Sequence, residues 1–383
     1  MPALPVSFAC AAYDRMVPLL TGEVRPAGID LNFIPIANPR DIFDRMAGRL
    51  EFDCCEFSSS ELISQVATGA SALTAIAVFP SRMFRHGFIT VNRNRIKSPK
   101  DLEGKRIGVP LYTMTAAVFI RGMLTDQYGV DFSGVEWVQG SINAAGRHGN
   151  PSPPPLLKKV NIKVNDSGKS LSDLIDAGEI EAIIGTGFPR AMRTNKAIGR
   201  LFPNFPEVER DYYRSTGIHP IMHLVAIKRE LCERYPFVAT SLYQAFCKSK
   251  DIALDRLRFP GALATMMPWS VADMELADSV FGEPWPYGVE RNRKTRSARA
   301  LSRRSIPDRQ APSPRKRLCS CYGIAAVAAE LFTAGGCGAS NLMNSLFVLR
   351  VGQQAALDRN VSQRHPRPCP RGRSWASRSG VGG

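Results

Sequence analysis

The chain has 383 residues, 44% of them hydrophobic, and a formal net charge of +16, so it is long enough to bury the cores of two ordinary domains without a disulfide or a metal. The charge is unevenly placed. From Arg291 to Gly383 there are 18 basic against 3 acidic residues, which leaves 32 against 31 in the body and removes overall basicity as an argument for nucleic-acid or membrane binding. No run approaches the roughly 18 to 20 apolar residues needed to cross a bilayer. The N-terminus lacks a basic segment ahead of its apolar residues, and the nine cysteines have no metal-site spacing and read as reduced thiols. A globular cytoplasmic protein is expected.

In chain order, PVSFACAAY predicts a buried strand leading into a helix through Leu20, and GIDLNFIPI alternates like a second strand. DIFDRMAGRL predicts a helix, residues 52–55 a short strand, and Ser58 to Ser60 with Glu61 the start of another helix. SALTAIAVFP and HGFITVN predict further strands. KSPKDLEGKRIGVP gives a turn, a short helix and an apolar strand, and LYTMTAAVFIRGMLTDQYGVD a long helix. VEWVQG reads as a strand, NPSPPP as a rigid loop, and SLSDLIDAGEIEAIIG as helix, glycine stop and strand. After a proline-containing loop around Phe202 to Pro206, residues 219–250 predict a strand and two helices. No internal repeat is present. Strands alternating with helices predict an α/β fold with mainly parallel sheets and helices on both faces.

DLEGKRIGVP, the helix after it and LSDLIDAGEIEAIIG resemble the type 2 periplasmic-binding-protein fold. That resemblance implies two lobes with a ligand cleft between them: residues 1–92 plus 216–290 in one lobe and an inserted lobe at 93–215.

Four groups of residues suit chemistry at such a cleft. In SRMFRHG, Arg82 and Arg85 offer planar forks that match carboxylates, and His86 stands beside them; solvated arginines on a turn are an equal reading. In GIHPIMH, His219 and His223 are candidate proton donors. They would stand about 13 Å apart along an ideal strand, so they share a site only if Pro220 bends the chain. Packing is favoured for His223, flanked by Met222 and Leu224, while for His219 packing and catalysis are balanced. Glu56 and Ser58 stand at a strand-to-helix junction, where free N–H groups and the helix dipole attract anions, although ordinary capping accounts for the serines equally well. Tyr112, Thr113 and Thr115 open a helix beyond a strand end, the usual ligand position of open α/β sheets. Arg190, in GTGFPRA, is expected to face the same cleft. Trp285 and Tyr287 in EPWPYG are expected to pack the last element. The motifs of nucleotide hydrolysis, dinucleotide binding and the common hydrolases are missing.

CCEFSSSELI, FPSRMFRHGFITVN, STGIHPIMHLVAIKREL and FGEPWPYGVE together resemble the 4,5-dihydroxyphthalate decarboxylase family over residues 5–290. The resemblance implies loss of CO2 from a small aromatic dicarboxylate to give protocatechuate, in a homo-oligomer, with no organic cofactor assigned. It makes His219 the expected proton donor and His86 the alternative, with Arg82 and Arg85 on the carboxylates, Thr113 and Thr115 on the catechol, and Arg190 closing from the inserted lobe. A divalent metal held by the catechol, or by His219, His223 and Glu56, stays open. The alternative is a solute-binding protein for an aromatic acid or a pyrimidine-like ligand. The resemblance stops inside GVERNRKT, and the composition of 291–383 fits either a low-order basic tail or an out-of-frame reading.

Overall fold

A computed structural model of the chain describes residues 2–69, 71–151, 156 and 158–292. The tail from 293 on and residues 152–155 of the proline loop, including any frameshift in the former, lie outside the described residues.

The chain begins with β1 (Leu4–Cys10), α1 (Val17–Leu20), β2 (Ile29–Pro35), α2 (Pro39–Arg49), β3 (Cys54–Ser58), α3 (Ser59–Ala67) and β4 (Leu73–Arg82). A helical turn at His86–Phe88 leads into β5 (Ile89–Asn92), β6 (Arg106–Val109), α4 (Thr115–Tyr128), β7 (Glu136–Gln139) and β8 (Ile162–Val164). Next come α5 (Leu171–Asp176), β9 (Ala182–Ile184), α6 (Ala191–Thr194), β10 (Ile198–Arg200) and α7 (Phe205–Thr216). The strand β11 (Ile221–Lys228) and the helices α8 (Arg229–Arg234), α9 (Phe237–Arg258) and α10 (Ser270–Phe281) follow.

Two sheets result, with strand orders β2-β1-β3-β11-β4 and β10-β5-β9-β6-β7-β8. In the first, β1 runs parallel to β2 and β3, and β11 enters antiparallel between β3 and β4. In the second, β6 is parallel to β7 and β9, and β7 to β8, while β5 is antiparallel to β9 and β10. This is the two-lobed α/β architecture of two mostly parallel sheets. The antiparallel insertions come largely from β5 and β11, the strands nearest the two passages between sheets. Because β5 pairs in the second sheet, a lobe division drawn after residue 92 separates that strand from its partners.

Burial on both faces explains why the strands read as apolar runs. On one side of the first sheet, Phe8, Val78 and Ile227 pack with Leu242 and Phe246 of α9. On the other, Ala9 and Phe57 pack with Ile42, Phe43 and Met46 of α2. The second sheet buries Ile107, Val109 and Trp137 against Ala117, Ile120 and Leu124 of α4. That helix stops at Gly129, whose φ of 65° is open to glycine at no steric cost.

Candidate functional site

The sheets meet where β3 runs into α3 and where α4 begins. Ser58 is the N-cap of α3, yet its side chain makes no capping hydrogen bond. Its hydroxyl lies 3.1 Å from the Thr115 hydroxyl, at the first residue of α4. The Ser60 N–H donates to Thr115 Oγ1 at 3.1 Å, and the Ser60 hydroxyl donates to the Thr113 carbonyl at 2.9 Å. Two helix N-termini thus face each other across a seam of hydroxyls, an arrangement that favours an anion. Arg40, Ser58, Ser60, Glu61, Thr113 and Met114 line a small cavity there. Arg40 ion-pairs with Asp44 at 2.6 Å and Glu61 at 3.3 Å, while its Nε and Glu61 Oε1 are buried without hydrogen-bond partners. Burial raises the Glu61 carboxyl above its ordinary pKa despite the opposing pull of Arg40.

The second lobe reaches the same place with a loop. The Asn150 N–H donates to Asp44 Oδ2 at 2.8 Å. Gly149 has a φ of +70°, and a Cβ on it would meet Asp44 Oδ2 at 2.6 Å, so the contact needs glycine twice over.

One step along the first sheet lies an acid–base pair. The β11–β3 register sets His223 opposite Ser58 and Val225 opposite Glu56. His223 Nδ1 is 2.6 Å from Glu56 Oε1, which also accepts from the Tyr13 hydroxyl at 2.7 Å. Glu56 Oε2 accepts from the Ala11 N–H at 3.2 Å and the Cys10 thiol at 3.4 Å. Burial pushes the Glu56 carboxyl up, but the His223 charge and these hydrogen bonds outweigh it and hold its pKa below the ordinary value. Burial, and then this carboxylate, raise the Tyr13 phenol and the Cys10 thiol well above theirs.

The other expected residues are committed elsewhere. The His219 ring stacks against Phe84 and Phe281, at 4.8 and 5.1 Å, with Trp285 edge-on at 5.6 Å. Burial and then the Arg82 charge push its pKa down to about 3. His86 is buried against the edges of Phe202 and Tyr212, and burial lowers its pKa to about 4. Its Nδ1 is 3.9 Å from Glu209, too long for a hydrogen bond, so burial prevails over that carboxylate.

Arg82 spends its guanidinium on the Pro286 carbonyl at 3.2 Å and on the Asn292 side chain. Arg85 lies over the Phe88 ring and against Met222 Sδ. Burial lowers both arginines to about 10, which leaves them charged at neutral pH. Arg190 is exposed and 3.4 Å from Asp173. Tyr112 packs on Trp137 beneath the Arg121 guanidinium. Trp285 donates to the Phe79 carbonyl at 2.9 Å and Tyr287 is buried, so both pack as expected. The set His219, His223 and Glu56 does not assemble, and among the described residues no group of three His, Cys, Asp or Glu side chains is placed to hold a metal.

Of the expected residues, Glu56, Ser58, Thr113 and Thr115 are therefore brought together. Sequence reasoning missed Arg40 and Tyr13 and ranked His223 as packing. The position of Tyr13, just past the end of β1, was the available signal, since ligands of α/β sheets gather at strand ends.

Residues 25–146 match the family model described as NMT1/THI5 like. A 4,5-dihydroxyphthalate decarboxylase of Comamonas testosteroni is 34% identical over 303 residues, which is 76% of this chain and 89% of that one. One of Pseudomonas putida is 34% identical over 225 residues, 56% of this chain and 83% of that one. Among solved structures, the alkanesulfonate-binding protein SsuA from Xanthomonas axonopodis pv. citri aligns at 11% identity, 84% of this chain, 97% of that chain and a TM-score of 0.45. At 34% identity across 89% of the Comamonas protein, the chain belongs to the 4,5-dihydroxyphthalate decarboxylase family.

Proposed function

We propose that the chain removes one carboxylate from 4,5-dihydroxyphthalate, yielding protocatechuate and CO2, in the seam between its two lobes. The observation that carries this reading is the family membership, and the seam has the chemistry the substrate requires. Hydroxyls of Ser58, Ser60 and Thr115 and the first turns of α3 and α4 suit a carboxylate. Arg40, which lines the cavity and has a buried Nε without a hydrogen-bond partner, takes the place in this scheme that Arg82 and Arg85 were expected to fill. Thr113 lines the same small cavity and is the candidate contact to the ring hydroxyls.

Buried thiols at Cys10, Cys54 and Cys55, none in a disulfide, support a reducing cytoplasmic setting. The exposed run of Phe259, Leu263, Met266, Met267 and Trp269 supports a homo-oligomer, which light scattering on the purified protein checks. Neither a nucleic acid nor a membrane enters the scheme. Among the described residues, no helix is long and apolar enough to cross a membrane.

The deciding measurement is CO2 release from 4,5-dihydroxyphthalate by the purified chain. Binding without release would overturn the decarboxylase reading and favour solute capture. A Thr115→Val variant keeps shape but removes the hydroxyl shared by Ser58 and Ser60. Loss of a hydrogen bond of about 1 kcal/mol predicts a KM raised by roughly 5-fold with kcat changed less. An unchanged KM would remove Thr115 from the binding set.

A further inference from the structure

Resting on the decarboxylase reading above, we propose that His223 is the proton donor to the ring carbon that loses its carboxylate, and that Glu56, pinned by Tyr13, positions it. Four observations converge on this residue. The Glu56 carboxylate is fully buried and accepts from Tyr13, Ala11, Cys10 and His223, so it is fixed in place and its bond to Nδ1 leaves Nε2 as the working nitrogen. The His223 side chain keeps 17% of its surface exposed, against 1% for His86. Phe43 meets the ring edge-on at 4.9 Å and 80°, which restrains its rotation.

The strand itself is the fourth observation. Register shifts flank His223 on the side facing β4, while its register with β3 is regular from Ile227 to His223. Bulges re-aim side chains and are enriched beside active sites. Here the irregular side frees the histidine, and the regular side keeps it opposite Ser58, in the seam of hydroxyls.

The alternatives lack this combination. Burial holds His219 and His86 neutral, and neither meets a buried carboxylate at hydrogen-bond distance. A proton donor to carbon must carry its proton at working pH. Only His223 has a buried carboxylate at hydrogen-bond distance, Glu56 Oε1 at 2.6 Å from Nδ1, which orients the ring as the buried acid of a catalytic triad does.

The step balances. A ring hydroxyl para to the departing carboxylate pushes electron density onto the carbon that bears it. A ring π pair forms a C–H bond with the proton from His223 Nε2. The bond to the carboxylate then breaks, its electron pair restores the aromatic ring, and CO2 leaves. His223, now neutral, takes one proton from water, so each turnover consumes one proton.

The test measures CO2 release and substrate binding by the full-length wild type, H223Q, H223A and E56Q, with thermal melts as the check on folding. H223Q is expected to lose about 10³-fold in kcat, within the 10²–10⁴-fold range of general acid catalysis, and to bind 4,5-dihydroxyphthalate within about 3-fold of wild type. Added imidazole is expected to restore part of the H223A rate, which a merely structural histidine would not allow. E56Q is expected to fall by at least roughly 10- to 100-fold, the range for loss of a partner that orients a metal-bound histidine, mainly in kcat. If wild type releases CO2 and H223Q does so within about 3-fold, the assignment is wrong and the decarboxylase reading stands. If folded wild type releases none, both fall together.

Discussion

Between pH 7 and pH 5 the buried histidines His219 and His86 are together expected to cost the folded chain about 4 kcal/mol of stability. Their folded pKa values are pushed down to about 3 and about 4, whereas an unfolded histidine titrates near 6.5. Between those values the unfolded chain binds more protons than the folded one, so stability is fully present above about pH 6.5 and is lost as the pH falls. At pH 5 each imidazole contributes about 2 kcal/mol to this loss. Glu61 and Glu209 work in the opposite sense, because burial raises their pKa values and the folded state takes up their protons earlier. A His219→Phe variant, which keeps the stack with Phe84 and Phe281, separates these contributions. Denaturant melts at both pH values should show a pH dependence smaller by about 2 kcal/mol in the variant. An equal dependence in both proteins would mean that the ring is not held neutral.

Arg82→Met is expected to destabilise the protein by about 3 kcal/mol, since it removes a buried donor from several acceptors at once. Arg82 joins the end of β4 to the segment after α10, through the Pro286 carbonyl and Asn292. Asn292 in turn donates to the carbonyls of Pro286 and Gly288, at 3.0 and 2.8 Å. Methionine fills similar space, so the loss measures the hydrogen bonds rather than a cavity. The midpoint of thermal unfolding should fall by roughly 6 to 12 °C, and hydrogen exchange should rise first at the amides of Gly288 and Asn292. A midpoint within about 2 °C of wild type would show that the tie contributes little. If Arg82 instead holds a substrate carboxylate, the variant would raise KM and leave the melt unchanged.

Much of the fold could be read from the sequence because its central elements carry strong periodicity. The buried strands β1 and β6 and the helix α4 have apolar runs that no loop would carry. The elements missed are those with weak or conflicting signals. The strand β8 is three residues long and mostly exposed, and β10 is three residues with a glycine in the middle. Pro206 made the start of α7 look like a loop, although proline fits the first turn of a helix, and Tyr212 is its one buried residue.

The candidate site was half legible, for a different reason. Strand-to-helix junctions marked Glu56, Ser58 and Thr115 locally, whereas the partners of Arg82 are set by tertiary contacts as far away as Asn292. His223 was discounted because Met222 and Leu224 flank it. Neighbours in a strand point to opposite faces, so flanking residues carry no information about the face His223 shares with its partners.

The hydroxyl bridge between Ser58, Ser60 and Thr115 gives the lobes a latch made of the same groups a ligand would use. On the proposed function, a carboxylate entering this seam would exchange hydrogen bonds with the protein rather than add new ones, and would do so in molecules whose latch is momentarily undone. Apparent affinity is then the intrinsic affinity scaled by that open fraction. A side chain at Gly149, whose Cβ would meet Asp44 Oδ2 at 2.6 Å, would push apart the neighbouring Asn150–Asp44 contact between the lobes and so raise that open fraction without touching the hydroxyls.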